Sequence, residues 1–97
     1  MQIIWSPLSL TDMETIKRYY SQFSDRNITY KQILKIHKSV ELIKTQPCIW
    51  HQSENDDEVL EWVVPSTYYT IPYMIELDEI FILRVFDQRQ EKPQSWI

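Results

Sequence analysis

Ninety-seven residues, 43% of them hydrophobic and 13% aromatic, give one domain enough apolar surface for a single core. The net charge is −4 and glycine is absent, which excludes Walker loops, dinucleotide fingerprints and nucleophile elbows, all dependent on glycine for close backbone approach or positive φ. The lone Cys48 excludes an internal disulfide and a cysteine zinc cluster.

No run approaches the roughly 18 apolar residues of a membrane span. The opening Met1 to Trp5 lacks the basic start and small-residue cleavage site of a signal peptide, so the expected compartment is the cytoplasm. Charge is uneven. Residues 1–46 hold seven Lys/Arg against four Asp/Glu, and residues 47–97 hold three against ten. An acidic second half grips phosphate backbones poorly, so direct nucleic-acid binding is disfavoured.

Residues 2–5 are short and β-prone, and Ser6-Pro7 stops them. Serine before proline also starts a helix, with Ser6 as cap and Pro7 at the first helical position. Leu10, Met13, Ile16, Tyr20 and Phe23 then recur at helical spacing, with Lys17 and Arg18 turned away. After a polar break at Ser24 to Asn27, the spacing repeats in Tyr30, Ile33, Ile36, Val40 and Ile43. Two such helices joined by a short loop predict an antiparallel α-hairpin over about 7–46. Lys31, Lys35 and Lys38 share one side of the second helix, as a stripe for an acidic partner or nucleic acid, or simply as a solvated face. Pro47 closes the helical region.

The second half predicts a sheet over about 48–87. Cys48-Ile49-Trp50 begins or flanks a strand, and Glu54 to Glu58 form an acidic connector. Strands are expected at Val59 to Val64, Tyr68 to Glu76 and Glu79 to Phe86, the last two joined by a tight turn near Leu77-Asp78. No Asn-Gly or Asp-Gly marks that turn, so its type and register stay open. The first strand closes the sheet at an edge or pairs with the last strand. The tail, 88–97, is polar apart from Trp96-Ile97, which is expected to anchor on the domain or a partner. Helices segregated to one face of a mostly antiparallel sheet make an α+β domain.

Several fragments in one order carry a resemblance. They are Ile4-Trp5-Ser6-Pro7 with Asp12 and Ile16, Leu42 to Pro47, Val59 to Pro65, Tyr73-Met74-Ile75, and Ile82 to Gln90. Together they resemble the RelE/ParE superfamily of bacterial toxins, closer to the ParE branch. The resemblance implies the toxin of a type II toxin-antitoxin, or plasmid stabilisation, module. Such a protein inhibits DNA gyrase by binding it and is neutralised by a cognate antitoxin, which would also mediate any contact with DNA. The RelE branch cuts messenger RNA instead, which needs a base, an acid and cations for the phosphorane. Here Leu60 and Met74 stand where related chains often have arginine, and Asp87 stands where they often have histidine. A third alternative is a degenerate member that keeps antitoxin binding without toxicity.

Target-binding candidates are Glu61, Tyr73, Arg84, Asp87, Arg89 and Gln90. Tyr73, between apolar neighbours, suits the core better than a contact surface, Glu61 equally suits a cross-strand cation, and Arg84 suits a sheet face with its stem buried. Arg89 is the candidate for an exposed contact. No catalytic residue, metal ligand set or cofactor is expected, since His37 and His51 lack partners at ligand spacing.

Overall fold

A computed structural model describes residues 1–23, 26–45, 58–90 and 92–93. The expected strand at 48–50, most of the acidic connector and the Trp96-Ile97 anchor lie outside them. The chain runs β1 (Gln2–Trp5), α1 (Pro7–Phe23), α2 (Arg26–Thr45), β2 (Leu60–Val63), β3 (Tyr69–Glu76), β4 (Glu79–Ile82) and β5 (Phe86–Asp87). The α+β class is as expected. The helical break is shorter than predicted, because Arg26 and Asn27 already belong to α2.

Ser6 caps α1 as its sequence suggests, its Oγ accepting from the Ser9 N–H at 3.0 Å. The same hydroxyl donates to the Leu83 carbonyl at 2.7 Å, and the Ser6 N–H donates to the Ile82 carbonyl at 3.0 Å. One residue thus ends β1, starts α1 and ties both to the end of β4.

The sheet order is β1-β4-β3-β2, with β5 also pairing β3. The β2–β3–β4 meander is antiparallel, but β1 lies parallel to β4, Gln2 opposite Glu79 and Trp5 opposite Ile82. β1 therefore takes the edge position, and the sheet is mixed. Alternation places Trp62, Val64, Tyr69, Ile71, Tyr73, Ile80 and Ile82 on the helix-facing side, in one core with Met13, Ile16, Ile36, Val40 and Ile43. Leu10 and Tyr30, expected on the apolar stripes, are 53% and 65% exposed. The stripes that meet the sheet start one turn later in each helix, at Met13 and Ile33.

The expected strand from Glu79 to Phe86 is interrupted. Between the Tyr73–Ile82 and Thr70–Phe86 pairs, β3 supplies two residues while the facing chain supplies three, Leu83, Arg84 and Val85. The cause is Pro72. A strand residue sends its N–H and carbonyl to the same edge, and the Pro72 carbonyl accepts from the Leu83 N–H at 2.9 Å. Its missing N–H therefore falls on that same edge, where the ladder lacks a donor and a bulge forms.

Candidate functional site

Arg84 lies in this bulge and reaches the helices. Its guanidinium grips Asp12 of α1 with two bonds, Nε to Oδ2 at 2.7 Å and Nη2 to Oδ1 at 2.9 Å. Asp12 Oδ2 also accepts from the Val85 N–H at 3.0 Å. This partly buried clamp fixes α1 to the bulged edge, and its hydrogen bonds hold the Arg84 pKa above the ordinary guanidinium value.

One turn further on, β5 ends in a second clamp. Arg89 donates to Asp87 through Nη2 at 2.7 Å and Nε at 3.1 Å, and its backbone N–H donates to Oδ1 at 2.8 Å. The Arg89 guanidinium lies 4.0 Å from the centre of the Tyr68 ring. Bonding to Arg89 lowers the Asp87 pKa against the opposing effect of burial. The Arg89 pKa is raised in turn, chiefly by the bond to Asp87.

Both clamps line a cleft of about 300 Å³ at the seam between α1 and the sheet. Its remaining polar groups include Tyr19, Tyr20 and Tyr69. The Tyr69 and Tyr20 hydroxyls meet at 3.5 Å, and burial pushes the Tyr69 pKa upward, so Tyr69 remains a neutral phenol. Two guanidinium groups and two carboxylates leave the cleft without net charge.

The six sequence candidates divide. Arg84, Asp87, Arg89 and Gln90 come together in this cleft. Tyr73 is fully buried, so it supports the core and offers no surface contact. Glu61 lies opposite Pro72, one register step from the Leu60–Tyr73 pair, and so points to the other sheet face. There it pairs with Lys92 at 3.0 Å, a cation from beyond the last strand and not a cross-strand one. Arg84 is partly buried on the side of the helices, where Asp12 holds it. Leu60 packs against the core, and Met74 faces Phe81. Asp12 and the tyrosines were absent from the candidates. Asp12 carried a signal, a carboxylate four residues before Ile16 on the buried stripe, where a charge needs a partner.

Among the described residues no cluster of His, Cys, Asp and Glu could hold a metal ion, and no helix is long and apolar enough to cross a membrane.

A helical hairpin on one face of a mixed sheet, with a cleft at their seam, defines a small α+β protein of the RelE/ParE toxin fold. A chain of the chromosomal ParDE toxin-antitoxin system from P. aeruginosa matches it with a TM-score of 0.73 at 19% identity, over 90% of this chain and 95% of the other. At that identity the likeness is one of fold. The family described as ParE toxin of type II toxin-antitoxin system, parDE, matches residues 3–92, and the chain belongs to it. No curated relative matches the sequence.

Proposed function

We propose that this ParE-family chain acts in the cytoplasm by binding a protein target, DNA gyrase, and that a cognate antitoxin neutralises it. Family membership supports the toxin-antitoxin setting. The observation that favours protein binding over RNA cleavage is the pairing of the cleft arginines. Cleavage by an adjacent 2′-hydroxyl requires cations for a developing phosphorane and a group to move its proton. Arg84 and Arg89 are each held by a carboxylate, the Asp87 carboxylate stands where the RelE pattern has an imidazole, and Tyr69 stays protonated. A neutral, tyrosine-rich cleft is poorly matched to a phosphate and well matched to a polar protein surface, where Tyr and Arg dominate contacts.

A second reading, a member that binds its antitoxin without toxicity, is favoured by the same Asp87–Arg89 pair, which ties up the most exposed arginine of the cleft. Purified protein is expected to inhibit gyrase supercoiling while leaving messenger RNA intact, free or on translating ribosomes. Codon-dependent cuts that disappear in Arg89→Ala would overturn the proposal in favour of the RNase. Absence of both activities, with no growth inhibition on induction, would favour the non-toxic member.

A further inference from the structure

Both arginines of the cleft are gripped along the same edge. Asp12 takes Nε and Nη2 of Arg84, and Asp87 takes Nε and Nη2 of Arg89. A guanidinium carries five N–H donors in a planar fork, so with two engaged each arginine keeps three, two on Nη1 and one on Nη2. Among the described residues no group accepts from them. The remaining edge, Nη1 with Nη2, is itself a fork that a carboxylate matches with both oxygens. Both side chains reach solvent, Arg84 at 23% exposure and Arg89 at 60%.

The acceptors of the cleft, by contrast, are largely used. Asp12 and Asp87 each accept three hydrogen bonds, close to the roughly four that a carboxylate can take. Tyr69 donates its hydroxyl hydrogen to Tyr20, which leaves the Tyr20 hydrogen to be given elsewhere. Zero net charge therefore conceals a surplus of donors. A cation finds little acceptor capacity here. A nucleic-acid backbone brings a charge at every phosphate, against a half-chain of ten acidic and three basic residues, and gains little from the apolar wall of Ile16, Val85 and Phe86. A single carboxylate on an otherwise polar and apolar protein surface meets both conditions. Arg89, lying 4.0 Å from the Tyr68 ring centre and bonded to Asp87, is ordered before any partner arrives, which lowers the ordering cost of binding.

We propose that Arg89, in the cleft it shares with Arg84, receives the carboxylate of an Asp or Glu side chain of the protein target through its Nη1–Nη2 edge. This rests on the functional reading above and names the chemistry that the target must offer. The bond to Asp87 occupies one edge and leaves the other open, so the pair does not by itself silence the cleft. Lysine carries the same charge without the planar fork and cannot replace Arg89 in this role.

The natural chain alone is titrated with sodium acetate while the guanidinium resonances of Arg84 and Arg89 are followed by nitrogen-15 NMR. The Nη signals of Arg89 should shift saturably, and sodium chloride at equal ionic strength should leave them in place. Signals that acetate leaves unmoved would overturn the carboxylate site, whatever the target. This arm uses the unmutated chain, so it does not depend on how any variant folds. Against purified gyrase, Arg89→Ala and Arg89→Lys should each weaken binding about thirtyfold or more, while Lys31→Ala on α2 stays within about threefold. Undiminished binding by Arg89→Lys would show that charge suffices, and the fork would be abandoned. A natural chain that binds acetate at Arg89 but does not bind gyrase would remove the functional reading and leave the carboxylate site standing. Capture of single-stranded RNA, lost in Arg89→Ala, would overturn the inference in favour of a phosphate backbone.

Discussion

Asp87 satisfies three donors of Arg89 at once, so its carboxylate has a reason to stay ionised that owes nothing to catalysis. Its folded pKa lies below the ordinary value of 3.8, which makes its stabilisation present above that value and lost as pH falls through the lower folded one. In urea titrations at stepped pH, the natural chain should therefore lose stability more steeply below about pH 4 than Asp87→Asn does. Parallel curves would show that the pair contributes nothing. Sequence alone exposed Arg89 and Asp87 as candidates because both sit in a polar segment after a strand. It did not show them as partners of each other, since a two-residue spacing says nothing of the turn that folds the guanidinium back. Arg84 hid its partner for a related reason. Alternation with Ile82 directs it to the helix-facing side, but nothing in the strand marks Asp12, which lies 72 positions earlier in a different element.

At the scale of elements, the β3–β4 hairpin turns on Leu77 and Asp78, with φ of 50° and 65°. Positive φ at both central residues marks a type I′ turn, whose twist suits flanking strands and which favours Asn-Gly. Leucine is ill suited to that region, and at 89% exposure it gains nothing from burial. The double substitution Leu77→Asn, Asp78→Gly should therefore raise stability by about 1 kcal/mol, read as a higher urea midpoint at unchanged slope. A lower midpoint would mean that Leu77 has contacts the turn geometry does not reveal. The turn's place was legible because polar residues separate two apolar runs, whereas its type was not, since neither residue carries the usual marker. The helices were legible for the opposite reason. Each apolar stripe expected from the sequence spans more than three turns, and a repeated period survives an error at either end, as Leu10 and Tyr30 show.

For the molecule as a whole, one layer of helices on one sheet face gives the described residues one core, with Ile36 completely buried in it. An aspartate there would place a charge without a partner in that core, at a cost of several kcal/mol against a total stability of about 5–15. Ile36→Asp should lose cooperative melting and native circular dichroism, whereas Lys31→Asp, exposed on the same helix, should keep both. A native melt for Ile36→Asp would mean that the packing of α2 has been misassigned. The layer arrangement was readable from the order of periodicities. The parallel seating of β1 was not, because four residues carry no direction and their partner lies at the far end of the domain.

That distance has a consequence in time. β1 emerges first, yet the strand it needs is specified some 77 positions later, from Gln2 to Glu79. Synthesis at about 5–20 residues per second makes the interval roughly 4–15 s. The helical hairpin draws on local contacts and has no such wait. The cleft does, since Asp12 is without Arg84 until the same late stretch arrives. The nascent chain thus displays its helical hairpin seconds before the cleft can be completed. The order of strands is a clock, and the cleft is what it times.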